Sequence, residues 1–370
     1  MDAITYNFAN RQLETREIDQ PNITADDQLL IKVLQVGICG TDRAIIRGET
    51  GQAPSGLDYL VLGHEMLGQV VTIGDSIKEF SEGDYVVCTV RRGCGECVAC
   101  EHGESDLCFT GRYTERGINK AHGYMTRYVV EHKSYCVKVD PDLIDVAVLT
   151  EPLSIVEKAI LEAVSIQHRL DWIKGKSFEE DWKFLHRALI AGAGPIGILA
   201  CMVLRLHNIE THVIDVQPHS SLKAKIVEEM GATYHDTRGK DVKTLRETLG
   251  NIDIIVEATG VAPLAWDLLN LLGPNGILVF TGVPGDRGRD FTFDSGHLMR
   301  QMVMENQIIL GSVNANRTYF EKALDDLKIV KTTMPNALNR IITSRHKPEA
   351  YDKALKSQMP DQIKEIIVFA

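Results

Sequence analysis

The chain has 370 residues, of which 44% are hydrophobic and 25% charged, and its formal net charge is −11. This length exceeds one ordinary hydrophobic core and predicts two domains. The acidic balance argues against a nucleic-acid partner, because such binding needs Lys and Arg to neutralise phosphates. We also expect no membrane partner and a cytoplasmic location, since no apolar run reaches the roughly 18 residues of a membrane span and no signal-peptide pattern opens the sequence.

The first 150 residues are predicted to form short β-strands. Apolar runs at 29–39, 68–74, 83–90 and 124–132 are separated by Gly, Asp and Ser. This arrangement is typical of a compact, mostly β domain. The segment 151–166 then has apolar residues at helical spacing, so we expect a helix there.

From about residue 186 apolar strands alternate with helical segments. The predicted strands are RALIAGAG, THVIDV, IDIIVEATG, GILVFTGV and QIILGSV. Such alternation predicts βαβ units in a parallel, doubly wound sheet. The later run IKEIIVFA has no place in that sheet, and we expect it to pair with the N-terminal domain. The predicted domains are residues 1–186, completed by 314–370, and residues 187–313.

Four cysteines are clustered between residues 91 and 108, in RRGCGECVACEHGESDLC; they are Cys94, Cys97, Cys100 and Cys108. In a reducing compartment, clustered cysteines are more often metal ligands than disulfides. Four thiolates close a tetrahedral zinc site and leave no position for water or substrate. We therefore predict a structural zinc in this cysteine lobe, with disulfide pairing as the alternative.

A glycine-rich loop follows the first strand of the second half. In ALIAGAGPIGILA, the residues Gly192, Gly194 and Gly197 form G-x-G-x-x-G between an apolar strand and a helix, which is the context that a dinucleotide-binding motif requires. The glycines would allow a tight turn, close approach of a pyrophosphate, and helix–strand packing. The phosphates would meet N–H groups at the helix start, beside Pro195 and Ile196.

The next predicted strand ends at Asp215, where this fingerprint places an acid for the ribose hydroxyls. A carboxylate accepts a hydrogen bond from a free 2′-OH and repels a 2′-phosphate. The following residues, VQPH, supply no Arg to hold such a phosphate. We therefore predict NAD over NADP, while His219 and Lys223 leave the use of NADP open.

A second set of metal-binding residue types is dispersed along the chain. It consists of Cys39 in VGICGTD, His64 and Glu65 in LVLGHEMLGQV, and Glu151 in LTEPLSIVEK. Three protein ligands with a fourth position open make up a catalytic zinc site. Spacing alone does not join these residues, because a Cys after a strand is usually a buried small hydrophobe and a Glu before Pro often opens a helix.

The order of CGTD, GHE-x-x-G, the cysteine lobe and GAGPIG resembles the zinc-containing medium-chain alcohol dehydrogenase superfamily over essentially the whole chain. The segments TVRRGCGEC, RYTERGI, TEPLSIVEKA and GSVNANR resemble its archaeal-type glucose dehydrogenase branch. The resemblance implies an α/β protein with a GroES-like, mostly β catalytic domain and a Rossmann domain. It also implies one catalytic and one structural zinc per subunit, NAD(P), and a homo-oligomer (tetramer or dimer).

The resemblance assigns roles to individual residues. Asp42 would orient the imidazole of His64, and Thr41 would relay the substrate proton. The ligands implied for the catalytic zinc are Cys39, His64 and Glu151, with Glu65 as an alternating or water-linked ligand. The residues implied for the substrate are Thr41, Thr89, Glu115, Glu151 and Asn314. Those predicted for the cofactor are Gly192, Gly194, Pro195, Ile196, Gly197, Asp215, Thr281 and Asn314.

The implied reaction oxidises an aldose, such as D-glucose or D-galactose, at C1 to the lactone with hydride transfer to NAD(P). Polar residues such as Glu65, Glu115 and Asn314 also favour a sugar, because each buried substrate hydroxyl left unpaired costs free energy. The nearest alternative is a zinc-dependent polyol or alcohol dehydrogenase of the same superfamily. In other classes, the alternatives are a zinc-ribbon binding module and a non-catalytic regulator that binds NAD(H).

Overall fold

The computed structural model describes residues 1–173, 182–285, 291–357 and 359–369. They fall into two compact units. The first contains Met1–Ser154, Asn314–Ile329 and Ile342–Ala370, and the second contains Ile155–Val313 and Val330–Ile341. The domain boundary predicted near residue 186 stays a prediction. From the sequence, we expect the segment 171–187 to form a helix and a connector to the first strand of the parallel sheet, and part of this segment lies outside the described residues.

The described strands and helices are numbered here in chain order. The strands are β1 Asp2–Asn7, β2 Gln12–Glu17, β3 Gln28–Ile38, β4 Tyr59–Val61, β5 Glu65–Ile73, β6 Tyr85–Cys88, β7 Arg91–Arg92, β8 Thr114–Arg116, β9 Lys120–Ala121, β10 Tyr128–His132, β11 Cys136–Val139, β12 Arg187–Ala191, β13 Glu210–Asp215, β14 Thr233–Asp236, β15 Ile252–Glu257, β16 Leu272–Phe280, β17 Ile308–Gly311, β18 Ile342–His346 and β19 Lys364–Val368. The helices are α1 Gly40–Ile46, α2 Val98–Glu101, α3 Thr150–Ile166, α4 Pro195–Leu206, α5 Leu222–Glu229, α6 Leu245–Leu249, α7 Ala262–Asp267, α8 Ser295–Glu305, α9 Arg317–Thr333, α10 Pro335–Ile341 and α11 Tyr351–Lys356. Within the described ranges, no helix combines the length and apolar character that crossing a bilayer requires.

The first unit is built on a seven-stranded sheet in the order β11-β6-β5-β3-β19-β18, with β10 also paired to β3. The long strand β3 pairs antiparallel with β5, β10 and β19. Its residues Leu29, Ile31 and Val33 are fully buried, since alternate side chains of a strand point to one face. The pairing of Glu365 in β19 with Ile38 in β3 confirms the predicted return of the run IKEIIVFA to the N-terminal domain.

The second unit contains a parallel sheet in the order β14-β13-β12-β15-β16-β17. The strand order reverses between β12 and β15, which is the topological switch point where doubly wound sheets bind dinucleotides. The central strands β12 and β15 are almost entirely buried, as is typical of a parallel sheet covered by helices on both faces. Leu189, Ile214, Ile255 and Leu278 are buried in its core. The predicted doubly wound sheet is therefore confirmed.

Candidate active site and metal centres

The cysteine lobe brings its four thiols together. The Sγ atoms of Cys94, Cys97, Cys100 and Cys108 lie within 4.8 Å of one another. The Sγ–Sγ distance is 3.9 Å both for Cys94 with Cys100 and for Cys97 with Cys108. A disulfide needs about 2.05 Å, whereas zinc–sulfur bonds of about 2.3 Å in a tetrahedron separate the sulfurs by about 3.8 Å. All four thiols are free, so the donor set fits one zinc ion and not two disulfides.

The backbone of the lobe is shaped around these sulfurs. A Cβ atom on Gly93 would lie 2.3 Å from Sγ of Cys100, so only glycine fits at this position. The hydroxyl of Thr110 lies 3.5 Å from Sγ of Cys108 and lowers the pKa of Cys108 to about 6. A thiol that ionises readily is a better metal ligand, because the thiolate is the binding form.

A second group of donor atoms forms where β3 ends and β5 begins. The ligand atoms of Cys39, His64 and Glu65 lie within 4.8 Å of one another, and we call these residues the catalytic donor group. The antiparallel pairing of Gly37 with Glu65 brings the two chain segments together. A Cβ atom on Gly37 would lie 2.0 Å from Oε2 of Glu65, so a larger residue there would displace this carboxylate. A thiol, an imidazole and a carboxylate form a donor set of the catalytic zinc type.

Asp42 contacts both chain segments that supply the catalytic donor group. Its carboxylate is fully buried and accepts hydrogen bonds from the backbone N–H groups of Cys39, at 2.8 Å, and Gly63, at 3.1 Å. Its Oδ1 atom lies 3.7 Å from Nδ1 of His64. That nitrogen is buried without a hydrogen-bond partner among the described residues. An orphaned imidazole nitrogen in this position fits a metal ligand or a partner of Asp42.

Thr41, the predicted proton relay, follows Cys39 at the start of α1. Its Oγ1 atom lies 3.9 Å from Sγ of Cys39. The structure therefore brings the predicted relay hydroxyl next to the predicted ligand thiol. The relay itself stays a prediction.

Lys364 is a component of the site that sequence reasoning missed. Its Nζ atom donates to both carboxylate oxygens of Glu65 at 2.6 Å and to the carbonyl of Ile38 at 3.3 Å. Both side chains of the pair are inaccessible to solvent, at 1% and 0% exposure. The available signal was a lysine directly before the buried run of β19, because a buried ammonium requires a paired charge.

The electrostatics of this region favour a bound cation. Burial raises the pKa of Glu151 to about 7, against the opposing effect of His64. Burial alone would lower the pKa of His64, but Asp42 and Cys39 raise it well above its usual value. Three carboxyl groups and a thiol thus surround one imidazole and one ammonium. Among the described residues, Glu151 does not join the group of donors within 4.8 Å, and its predicted role as a zinc ligand stays a prediction.

Two of the predicted sugar-binding residues are in direct contact. Nδ2 of Asn314 donates to Oε1 of Glu115 at 2.7 Å, across 199 positions of sequence. The same oxygen accepts from Arg91, at 3.1 Å from Nε and 3.0 Å from Nη2. Thr89, which was also predicted to bind the substrate, is buried. Its carbonyl accepts a hydrogen bond from Arg92 at 2.6 Å. A carboxylate beside a primary amide is suited to binding hydroxyl groups.

The glycine loop has the backbone that its motif requires. Gly192 has a φ of +101°, and a Cβ atom on Gly197 would lie 1.7 Å from the carbonyl oxygen of Gly192. Gly194 caps the N-terminus of α4, whose first residue is Pro195. A Cβ atom on Gly194 would meet nothing within 4 Å. This open approach to a helix N-terminus fits a pyrophosphate.

Asp215 lies at the carboxyl end of β13 and is tied to that loop. Its carboxylate accepts from the backbone N–H of Ala193 at 2.6 Å and of Gln217 at 2.9 Å. Each carboxylate oxygen can accept a second hydrogen bond, so the ribose role predicted for Asp215 is compatible with these contacts.

Glu257, at the end of β15, was not identified from the sequence. Its Oε1 atom accepts from the N–H groups of Thr259 at 2.7 Å and Gly260 at 3.0 Å. Its carbonyl accepts from the hydroxyl of Thr281, a predicted cofactor residue, at 2.7 Å. A single buried residue therefore holds the loops that follow β15 and β16, on the far side of the switch point from Asp215.

Comparison with known proteins agrees with this geometry. The family described as the alcohol dehydrogenase GroES-like domain matches residues 25–141, and the glucose dehydrogenase C-terminus family matches residues 144–369. Glucose 1-dehydrogenase 1 of Caldivirga maquilingensis is 41% identical over 357 residues, which are 96% of this chain and 95% of that protein. Glucose 1-dehydrogenase of Methanocella arvoryzae is 38% identical over 350 residues, or 94% of each chain.

A solved structure extends the agreement to the fold. The Haloferax mediterranei glucose dehydrogenase in complex with NADP, Zn and gluconolactone matches with a TM-score of 0.89 at 31% identity, and the match covers 100% of this chain and 99% of that one. The GroES-like domain, the doubly wound sheet and the two donor sets define the class, which is that of the zinc-containing medium-chain alcohol dehydrogenases. Within that superfamily, the chain belongs to the glucose dehydrogenase family.

Proposed function

We propose that this chain is a zinc-dependent, NAD(P)-dependent glucose 1-dehydrogenase, which oxidises an aldose at C1 to the lactone. The observation that carries the proposal is the contact of Glu115 with Asn314 in the unit that also holds the catalytic donor group. A pocket for ethanol or a fatty alcohol gains nothing from a part-buried carboxylate–amide pair, because such a substrate leaves the remaining hydrogen-bonding capacity of both groups unused. A sugar has hydroxyl groups that can form hydrogen bonds with both the carboxylate and the amide.

The donor atoms fit a zinc ion, which when bound would act as a Lewis acid on the C1 hydroxyl. Cys39 and His64 would be constant ligands, and Glu151 would complete the set. Both oxygens of Glu65 accept from Lys364, so we infer that Glu65 acts as an alternating or water-linked ligand. Thr41 would pass the proton of the C1 hydroxyl towards solvent.

The second unit would hold the dinucleotide, whose nicotinamide accepts the hydride. Gly194 and the N–H groups at the start of α4 would bind the pyrophosphate, and Asp215 would accept hydrogen bonds from the ribose hydroxyls. Asp215 favours NAD, since its carboxylate repels a 2′-phosphate. We also predict a homo-oligomer, either a tetramer or a dimer.

One experiment tests the proposal. Initial rates are measured with D-glucose, D-galactose and sorbitol, each with NAD and with NADP, and zinc is quantified on the same sample. We expect oxidation of an aldose and two zinc ions per chain. Oxidation of sorbitol alone would instead indicate a polyol dehydrogenase. Binding of NADH without turnover of any substrate would indicate a non-catalytic regulator.

A further inference from the structure

Arg91 lies between the cysteine lobe and a predicted sugar residue. It is the register partner of Glu115 in the small sheet formed by β7 and β8. Its Nε and Nη2 atoms donate to Oε1 of Glu115, and its Nη1 atom donates to the carbonyl of Asp106 at 2.5 Å. Asp106 stands two positions before Cys108, the last thiol of the lobe. One guanidinium therefore connects the cysteine lobe to Glu115.

The guanidinium is held in a single orientation. Its side chain is only 10% exposed, and its carbon lies 4.1 Å from the ring centroid of Tyr113, a cation–π distance. A planar guanidinium can serve a carboxylate and a carbonyl at once, whereas an ammonium is a compact point charge without this fixed geometry. The residue type at position 91 therefore matters beyond its charge.

The contacts to Glu115 are asymmetric. Among the described residues, the hydrogen bonds to its carboxylate come from Arg91 and Asn314, and all of them reach Oε1. These three N–H donors occupy the acceptor capacity of Oε1, whereas Oε2 can still accept hydrogen bonds. Because a carboxylate only accepts, a group bound at Oε2 has to be a donor such as a hydroxyl.

We propose that Arg91 is a positioning residue for aldose recognition, which fixes Oε1 of Glu115 and presents Oε2 to one sugar hydroxyl. This inference rests on the proposed function. It also gives the structural zinc a second effect, because the lobe that the metal folds holds Asp106 and thereby Arg91. Loss of Arg91 leaves Asn314 as the one side chain among the described residues that donates to Glu115, so the carboxylate is held less firmly and the sugar binds more weakly.

The test uses the zinc-loaded enzyme with Arg91→Met, Arg91→Lys and the matched control Arg112→Met. Arg112 flanks the same lobe but is exposed and pairs with Glu96. For Arg91→Met we expect KM for D-glucose to rise about 10- to 100-fold, the range for loss of a buried charged hydrogen-bond partner. kcat and KM for NAD stay near wild type, and two zinc ions remain bound. Arg91→Lys recovers part of the effect, and Arg112→Met shows none.

A double-mutant cycle identifies the route of the effect. If Arg91 acts through Glu115, then Arg91→Met raises KM for D-glucose no further in a Glu115→Ala background, where Arg91 has no side-chain acceptor to hold. Additive effects would overturn the proposal, as would an unchanged sugar KM in Arg91→Met or a loss of zinc that accounts for the whole defect. A wild-type enzyme that oxidises no aldose would refute the proposed function instead, so the two failures are distinct.

Discussion

Nζ of Lys364 lies 2.6 Å from each carboxylate oxygen of Glu65, and 299 positions of sequence separate the two residues. Strand β19 makes this contact possible by pairing beside β3. The pair neutralises the carboxylate of Glu65, a member of the catalytic donor group, close to the buried carboxyl groups of Asp42 and Glu151. It therefore links the stability of the sheet to the chemistry of the site.

Replacement of Lys364 by Met should destabilise the enzyme by about 3–5 kcal/mol, because it leaves the buried charge of Glu65 unpaired. Chemical denaturation measures this free energy of unfolding. The control is Lys328→Met, since Lys328 forms an exposed pair with Asp140 and should change stability by less than about 1 kcal/mol. Adding Glu65→Gln to Lys364→Met should restore most of the loss. Equal stability of the two lysine variants would contradict a contribution of the buried ion pair to stability.

Single Cys→Ser substitutions should remove the two predicted zinc ions independently of each other. Cys39→Ser should remove one zinc and most activity while leaving the circular dichroism spectrum intact, because the catalytic metal is not needed to fold the sheet. Cys97→Ser should remove the other zinc and lower Tm, because the lobe has little apolar content of its own. Zinc content, enzyme activity and thermal melting are measured on each variant to check both expectations. An active Cys39→Ser enzyme would refute the ligand assignment.

Cofactor preference should respond to Asp215. Asp215→Asn removes the charge that repels a 2′-phosphate and keeps one side-chain oxygen, which can still accept from the N–H group of Ala193 or of Gln217. We expect the ratio of kcat/KM for NADP to that for NAD to rise about 10-fold or more, the scale of one lost charge interaction. Asp236→Asn is the control, since Asp236 pairs in register with Asp215 on β14 but has no predicted ribose role. A wild-type enzyme that uses NADP at least as well as NAD would refute this interpretation.

Glu257 should govern the nicotinamide end of the cofactor site. Doubly wound sheets bind one mononucleotide on each side of the switch point, and Glu257 holds loops on the side opposite Asp215. Glu257→Ala should therefore weaken NADH binding about 10-fold or more while 5′-AMP binds as before, and Glu257→Gln should recover much of the affinity through its remaining acceptor. Isothermal titration calorimetry measures both ligands. Equal losses for NADH and 5′-AMP would assign Glu257 a purely structural role.

Local motifs could be predicted from the sequence because their residues are close together. The cysteine lobe and the glycine loop are each one short stretch of sequence, and their chemistry depends on the spacing of their residues. The strand β14 was missed because TYHD offers one buried apolar residue, Tyr234, and pairs only at the edge of the sheet.

The catalytic donor group and the residues that contact it are brought together by pairing between strands that are distant in sequence. Cys39 and His64 meet because β3 and β5 align Gly37 with Glu65, and no spacing rule supplies that register. Family resemblance joined these residues in advance. Lys364 and Arg91 carry no motif, since their roles follow from partners that only the folded sheets bring near.

The position of β19 inside its sheet also sets an order of events in biosynthesis. This strand lies between β3 and the edge strand β18 in the sheet of the first unit, yet it leaves the ribosome after all of the second unit. Domains generally fold as their chain emerges, so the dinucleotide unit can be complete while the zinc unit still lacks an internal strand. Among the described residues, Glu65 therefore acquires its ion-pair partner Lys364 only after the second unit has been synthesised.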